Sequence, residues 1–456
     1  MNNTGVLKPT LGGISLLVIG IISTIMFRYP ITNKVYYLFL ILLFFMIIIN
    51  VVKANFQINK KNLPFITAIF FSMCCMLISS MFSVESMKFF ITRYSLIFLT
   101  MCYLYMRVAK YGIVYLDNFY KQLTVLLNVF SVFNLYQVIF HKPLLMNYMQ
   151  FLELGYNYHF GTSAYRTMSV FNHPIICGLF FIIAFFCNIY ILKTPWKYLL
   201  QFLLLINIYS TLARSAWLAF AIVLIIYCVM NAKKILPKSF NVKLNFKRIL
   251  GIYISCVLLI IATGFVGYHF ESIYNGVISR FGDSLSSDTT DGSNLQRTMT
   301  ISLIVNYMVN GDVFHLFFGY GLGKSHEFML EHPILIEGFG TTDNQYLSWF
   351  YEFGLFGIGG YFSFILLLFI KVLKAKRNLS IELSFFSFLI LSIGLFFFEG
   401  TGWPILLIMY SIALSCLSLN FRVLEQSDFN KAPIQGKKEL PSVSALVYLN
   451  RGEREL

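Results

Sequence analysis

Three arginines lie at positions where a charged side chain is costly. Arg166 precedes a long apolar run, Arg214 separates two such runs, and Arg297 lies on a segment with helical spacing between two others. A guanidinium stays charged in a low dielectric and can bind phosphate oxygens through two parallel hydrogen bonds. The three residues therefore predict a pyrophosphate-binding site, where they would also stabilise pyrophosphate as a leaving group. The alternative for each arginine is contact with a lipid headgroup or with a nearby acid.

Three further residues could move a proton. Asp343 and Glu352 lie at the start of a late apolar run, and His173 directly precedes Pro174 at the start of an earlier one. A carboxylate or an imidazole at the end of an apolar helix can act as general base for an incoming hydroxyl. We expect the base to be Asp343, Glu352 or His173, although His173 could simply cap the helix that follows. Arg93, inside another apolar run, is an additional charged candidate.

The sequence predicts neither a nucleotide site nor a metal site. Residues 319–325 resemble a phosphate-binding loop, but Phe318 stands where the first glycine of that motif belongs. All eight cysteines lie in apolar runs without metal-ligand spacing, and the histidines form no pair at helical spacing. We therefore expect no metal and no cofactor.

The composition predicts a membrane protein. Of the 456 residues, 58% are hydrophobic and only 12% are charged, against about 25% charged in soluble domains. Because the apolar runs are long and do not alternate, they favour spanning helices over barrel strands. The expected fold is an all-α polytopic membrane domain over residues 1–420, followed by a cytoplasmic tail at 421–456. About twelve transmembrane helices are expected, at 11–27, 35–53, 64–83, 88–107, 122–140, 174–192, 198–213, 215–230, 249–268, 345–370, 380–398 and 404–420.

Lys and Arg set the orientation. With the N-terminus inside, most of the 35 basic residues fall in cytoplasmic segments, as the positive-inside rule requires. Both termini are then cytoplasmic, and the net charge of +15 faces anionic lipid rather than nucleic acid. Two long external loops remain, at about 141–173 and 268–344. The second contains a predicted helix that carries Arg297 and stops at Gly311.

Together these residues resemble the O-antigen ligase and Wzy-type polysaccharide polymerase family. Four motifs carry the resemblance, and together they cover roughly residues 160–370. They are Arg166 to Pro174 (Arg-x-x-x-x-Phe-x-His-Pro), Ala213 to Leu218 (Ala-Arg-Ser-x-Trp-Leu), Arg297 with the glycine-rich stretch from Phe318 to Gly323, and Asp343-Asn344 followed by Tyr346, Leu347, Glu352, Gly354 and Gly357.

The resemblance implies a multi-span glycosyltransferase, GT-C-like in architecture, with a large extracytoplasmic loop. Such enzymes work at the outer face of the bacterial plasma (inner) membrane and take a glycan from an undecaprenyl-pyrophosphate carrier. They need neither a nucleotide sugar nor a metal. By this resemblance Arg166, Arg214 and Arg297 would contact the pyrophosphate, and the base would sit near position 343. Chain-length regulator and flippase proteins are candidate partners.

One departure from the family pattern guides the choice of reaction. Ligases of the family place His where this chain has Asp343. This favours a polymerase, which transfers the growing glycan onto one more lipid-linked repeat unit, over a ligase, which transfers finished glycan to another acceptor. A lipid-linked oligosaccharide transporter is less favoured, because the chain shows no related halves. A non-catalytic scaffold would not need arginines in apolar hairpins.

Overall fold

Helices make up all the regular structure in the described part of the chain. This computed structural model describes residues 37–38, 40–49, 73–74, 77–78, 81, 83–111, 113–143, 165–193, 195–235, 292–335, 337–374 and 378–418. The helices are α1 (Val84–Phe89), a π-helical turn (Phe90–Tyr94), α2 (Ser95–Tyr111), α3 (Ile113–Phe140), α4 (Pro174–Ile191), α5 (Trp196–Ser210), α6 (Arg214–Ile235), α7 (Gly292–Asn310), α8 (Val313–Phe318), α9 (Lys324–Glu331), α10 (Gln345–Lys374), α11 (Leu379–Phe396) and α12 (Pro404–Ser418).

Six of the described helical segments are long and apolar enough to cross a bilayer. They are Val84–Val108, Ile113–Phe140, Pro174–Ile191, Arg214–Asn231, Gln345–Leu373 and Leu379–Phe396. They confirm an all-helical, polytopic membrane protein and match the predicted spans in order. Shorter apolar helices occur at Leu40–Ile49 and Pro404–Ser418.

Other expectations fall wholly or partly outside the described residues. The predicted spans at 11–27 and 249–268, most of the span at 64–83 and the tail at 421–456 lie there. The hairpin predicted around Arg214 is present, because α5 ends at Ser210 and α6 starts at Arg214. At 15 residues, α5 is shorter than the roughly 20 residues that a full span needs.

A seam of amides joins α3 to α4 and α5 inside the bundle. The side chains of Asn128 and Asn188 exchange two hydrogen bonds, of 2.7 and 3.0 Å. Asn134 donates to Asn207 at 2.7 Å, and Asn207 donates to the Ser131 carbonyl at 3.0 Å. An amide without a partner is costly in an apolar interior. The seam therefore fixes the register of these helices more narrowly than apolar packing does.

Helix α10 is broken near its N-terminal end. Gly354 has φ +65° and ψ −166°, which no helix accommodates. The break frees carbonyls that the helix would otherwise use: that of Tyr351 accepts from the Tyr320 N–H at 3.0 Å, and that of Glu352 accepts from the Gly321 N–H at 3.1 Å. The glycine-rich stretch thus satisfies the backbone of a kinked helix, and its resemblance to a nucleotide loop has a structural cause.

Two glycines offer a matched test of this docking. Gly319 and Gly338 have nearly equal φ values, +79° and +76°, but a Cβ at 319 would collide with the Glu352 carbonyl, whereas a Cβ at 338 meets nothing within 4 Å. Gly338→Ala should cost about 1 kcal/mol from backbone strain alone. Gly319→Ala should cost about 3 kcal/mol or more, because it also displaces the loop from the two freed carbonyls. Thermal unfolding in detergent measures both; equal melting temperatures would contradict the docking role.

Candidate active site

The segment that carries Arg166 is held to α3 by one buried amide. The Oε1 atom of Gln137 accepts from the Tyr165 hydroxyl at 3.0 Å and from the backbone N–H groups of Met168 and Ser169, both at 3.1 Å. Its Nε2 atom donates to the Ser169 carbonyl at 2.9 Å. Four bonds from one side chain thus fix the backbone on both sides of Arg166.

The same segment is tied to the turn between α5 and α6. The Thr167 N–H donates to the Ser210 carbonyl at 3.1 Å, and the two hydroxyls share a hydrogen bond of 2.8 Å. The Nε atom of Arg166 donates to the Thr211 carbonyl at 3.3 Å. Arg214, three residues further along, begins α6. The structure therefore brings Arg166 and Arg214 to the same end of the bundle.

His173 is partly buried close to Arg166. Its ring lies 4.4 Å from the Phe398 ring and 5.4 Å from the Trp403 ring, measured between centroids. Its side chain makes no capping bond to α4, although the residue occupies the N-cap position. Burial, and then the nearby Arg166 charge, lower the pKa of His173 to about 3. The imidazole is thus neutral at physiological pH and can accept a proton only weakly.

The turn that supplies Phe398 also supplies a carboxylate, Glu399. Its Oε2 atom accepts from the Thr341 hydroxyl at 2.9 Å and from the Thr342 N–H at 3.3 Å. Burial raises the pKa of Glu399, and the hydrogen bonds from Thr341 and Thr342 oppose that rise. The sequence analysis missed this residue. A charged residue between two apolar runs indicates a functional site. This pattern identified Arg214 and applies equally to Glu399.

Asp343 and Arg297 form an ion pair at this end of the bundle. Arg297 Nη2 lies 3.5 Å from Asp343 Oδ2, and the side chains are 29% and 25% exposed. The Asp343 N–H donates to the Thr341 hydroxyl at 3.1 Å, so Thr341 joins Asp343 to Glu399. Burial raises the pKa of Asp343, and Arg297 opposes that rise. Asp343 is thus a carboxylate with partial solvent access and a cation beside it.

Glu352 has a different environment from Asp343. Its side chain is only 3% exposed. Its Oε1 atom accepts from the Gly323 N–H at 2.9 Å and from the Ser325 hydroxyl at 2.7 Å. Glu352 therefore binds the glycine-rich loop with its side chain as well as with its backbone. Its role as a base stays a prediction, and the geometry favours a positioning role.

Residues 397–403 form a turn that contacts each part of the site; we call it the α11–α12 turn. Besides the contacts of His173 and Glu399, the Gly402 carbonyl accepts from Arg93 Nη1 at 3.4 Å. Arg93 lies on the π-helical turn, a deviation that is frequent at functional sites. The N–H groups of Gly400 and Thr401 donate to Gln345 Oε1 at 2.8 and 2.9 Å. The turn links the Arg166 segment, the Asp343 segment and α10.

Strained backbone marks the same region. Ser169, Asn172, Leu212 and Asp343 all have φ between +47° and +56°. Non-glycine residues in this conformation cost about 1–2 kcal/mol each. Such residues persist where the surrounding contacts hold them, often at functional sites. Each of the four is, or lies within three residues of, a predicted site residue; His141, at the end of α3, is the fifth described non-glycine residue with positive φ.

The arrangement can bind an anion and remove a proton. Arginines supply bidentate donors, and Asp343 and Glu399 supply carboxylates with raised pKa values. Among the described residues, no three His, Cys, Asp or Glu side chains converge in a way that could hold a metal ion.

Of the first predicted long loop, residues 141–173, the structure describes only residues 141–143 and the part from residue 165 onward.

One family model matches part of this chain. Residues 199–362 match the family model described as O-antigen ligase, which confirms the family resemblance that the motifs indicate. The match contains three of the four motifs, whereas the motif from Arg166 to Pro174 lies before it. No curated protein and no solved structure matches the chain.

The Gln137 contacts lead to a test of how the Arg166 segment is held. Gln137→Leu removes the acceptor of three donors, each of which costs about 1–3 kcal/mol when buried without a partner. Hydrogen–deuterium exchange of the peptide over residues 165–172 should therefore accelerate by about ten-fold or more.

Asn188→Leu is the matched control, since it removes a buried amide from α4 that bonds Asn128 rather than the loop. Exchange at 165–172 should stay unchanged in this variant. Equal acceleration in both variants would mean that Gln137 acts only through general stability.

Proposed function

We propose that this protein is a glycosyltransferase of the outer face of the bacterial plasma membrane. It transfers a growing glycan from an undecaprenyl-pyrophosphate carrier onto a lipid-linked oligosaccharide repeat unit, and is thus a polysaccharide polymerase. The observation that carries the proposal is the α11–α12 turn, around which Arg166, His173, Glu399 and Asp343 gather. The family match at 199–362 supports a reaction of this class.

The proposed step is a displacement at the anomeric carbon of the donor sugar. An acceptor hydroxyl oxygen bonds to this carbon while the bond to the pyrophosphate oxygen breaks, and the electron pair leaves with the pyrophosphate. Arg166 and Arg214 neutralise the charge that develops there. Asp343 accepts the hydroxyl proton, and Arg297 holds Asp343 in place. No metal or nucleotide takes part, because the pyrophosphate carrier is already an activated donor.

Asp343 is the preferred base among the three candidates. Its side chain is a quarter exposed, so an acceptor hydroxyl can approach it. Glu352 is engaged with Gly323 and Ser325, and the lowered pKa of His173 makes the imidazole a weak base. We assign Glu352 to positioning of the loop and His173 to the wall of the site.

The distribution of basic residues supports the proposed orientation. With both termini cytoplasmic, most Lys and Arg lie inside. The ends of the helices that carry Arg166, Arg214, Asp343 and Glu399 then face outward. A lipid-linked donor and acceptor and the bilayer itself are the expected partners, with chain-length regulator and flippase proteins as further ones.

A ligase is the second candidate function, since the matched family model is described as O-antigen ligase. A ligase would use the same donor and the same arginines and would differ only in the acceptor. The aspartate at position 343 favours the polymerase, because ligases of the resembled family place histidine there.

A reconstituted assay tests the proposed reaction. Purified protein receives a polyprenyl-pyrophosphate-linked repeat unit without nucleotide or metal, and the products are separated on a gel and stained for glycan. The wild type should give a ladder. Arg166→Ala and Arg214→Ala should each lower the rate by about 100-fold or more, as the loss of a group that stabilises the leaving charge does.

Arg107→Ala is the matched control, because Arg107 bonds Tyr103 and lies at the predicted cytoplasmic end of its span. It should keep the ladder. If the ladder survives in Arg166→Ala at normal abundance, the arginine has no role in the reaction. If a ladder forms only after an unrelated acceptor is added, the protein is a ligase.

The pH dependence tests the base. Asp343 must be ionised to accept a proton, so activity should fall as pH drops through its pKa, which burial places above the ordinary 3.8. Arg297 lowers this pKa, so Arg297→Gln should move the acidic limb of the pH–rate profile to higher pH. Asp343→Asn should lower the rate by about 100-fold or more.

Lys324→Gln is the control for charge removal, since Lys324 pairs with Glu327 and Glu85 rather than with Asp343. Its acidic limb should stay in place. An acidic limb that does not move in Arg297→Gln would assign the titration to a different group.

A further inference from the structure

Glu399 reaches from the α11–α12 turn to the two residues that precede Asp343. Its Oε2 atom accepts from the Thr341 hydroxyl at 2.9 Å and from the Thr342 N–H at 3.3 Å. The Thr341 oxygen in turn accepts from the Asp343 N–H at 3.1 Å. One hydroxyl group therefore joins the glutamate to the Asp343 backbone, because it donates to the first and accepts from the second.

Gln345 makes the opposite connection, from the start of α10 back to the α11–α12 turn. Its Oε1 atom accepts from the N–H groups of Gly400 and Thr401, at 2.8 and 2.9 Å, and the residue is buried. Glu399 and Gln345 thus lie on opposite segments, and each accepts from backbone N–H groups of the other segment. We call these two residues the reciprocal clamp. Asp343 lies between its two points of attachment.

The backbone of Asp343 needs such a restraint. Its φ is +52°, a left-handed conformation that is unfavourable for a residue with a side chain and that persists where neighbouring contacts hold it. Arg297 restrains the carboxylate, but 3.5 Å is the long end of the hydrogen-bond range, so this contact alone leaves the direction of the carboxylate loosely set. If the backbone relaxed to a right-handed or extended form, the side chain would point elsewhere.

We propose that Glu399 is a positioning residue for glycan transfer: through Thr341 it holds Asp343 in the conformation in which the carboxylate accepts the acceptor hydroxyl proton. Gln345 secures the turn from which Glu399 acts. This inference rests on the proposed function, which assigns the base to Asp343. A displacement of about 1 Å at a reacting group can lower a rate by about 100-fold, so a residue that does not touch the substrate can still control kcat.

A double-mutant cycle tests this role, with the initial rate of ladder formation as the measurement. Glu399→Leu should lower kcat by at least about ten-fold and leave KM within about two-fold, because the base is misplaced while the substrate still binds. In an Asp343→Asn background the same substitution should lower the residual rate by less than about two-fold, because no base remains to be positioned.

Thr341 supplies a matched pair of variants. Thr341→Val keeps the shape of the side chain without its hydroxyl and should lower kcat as Glu399→Leu does. Thr341→Ser keeps the hydroxyl and should restore kcat to within about three-fold of the wild type. Glu382→Leu is the control for loss of a glutamate, since Glu382 lies in the first turn of α11, at the other end of that helix, beside Tyr190; it should keep the wild-type kcat.

Hydrogen–deuterium exchange tests the clamp without the reaction. Exchange of the peptide over residues 341–346 should accelerate by about ten-fold or more in Glu399→Leu, because the hydrogen bonds that hold this segment to the turn are lost. It should stay unchanged in Glu382→Leu.

Three outcomes would overturn the inference. If the losses from Glu399→Leu and Asp343→Asn multiply, Glu399 acts independently of the base, and the proposed reaction stands without this role. Unchanged exchange at 341–346 in Glu399→Leu would show that the glutamate does not hold the segment, whatever the reaction is. A wild type that forms no ladder would overturn the proposed function, and with it the base that Glu399 is proposed to position, which separates that failure from the first two.

Discussion

The break of α10 at Gly354 places the glycine-rich stretch and the helices next to it. Within a bilayer each backbone carbonyl needs a partner from the protein, and the break leaves those of Tyr351 and Glu352 without one from their own helix. The N–H groups of Tyr320 and Gly321 supply the partners. The glycine-rich stretch is therefore bound near the N-terminal end of α10, and the helices on either side of it, α8 and α9, are placed with it.

A second constraint comes from the charges at this end of the bundle. Arginines and carboxylates near hydrocarbon are tolerated only when other groups solvate them. Short side chains and backbone groups from several segments do this: Thr341 and Thr342 donate to Glu399, and the carbonyls of Thr211 and Gly402 accept from Arg166 and Arg93. Because most of these partners are backbone groups, the charges stay oriented without cancelling one another.

The positions of the helices could be predicted from the sequence, but the contacts between them could not. Apolar runs predicted the helices on either side of Arg214 to within a few residues, because an apolar run bounded by polar residues marks a helix in a membrane protein. Gln137 carried no signal, since a lone amide in an apolar run is as compatible with packing as with function, and only its position opposite residues 165–169 shows its use. The glycine-rich stretch could not be explained either, because its partner, Glu352 beside the kink at Gly354, lies twenty-nine residues from Gly323 in the sequence. Glu399, like Arg214, is a charged residue between two apolar runs, and this pattern alone could have identified it; no sequence motif contains it.

Asp343 and Glu352 show how environment separates two carboxylates of one motif. They lie nine residues apart near the N-terminal end of α10. Glu352 is buried and bonds the glycine-rich loop through Oε1, whereas Asp343 is a quarter exposed and pairs with Arg297. A carboxylate that is only 3% exposed is closed to a substrate hydroxyl, whereas a partly exposed one with a raised pKa is suited to proton transfer. The kink at Gly354 produces this difference, since it brings the loop to Glu352 and not to Asp343. Docking of the glycine-rich stretch on the kinked helix therefore also leaves Asp343, rather than Glu352, accessible to a substrate.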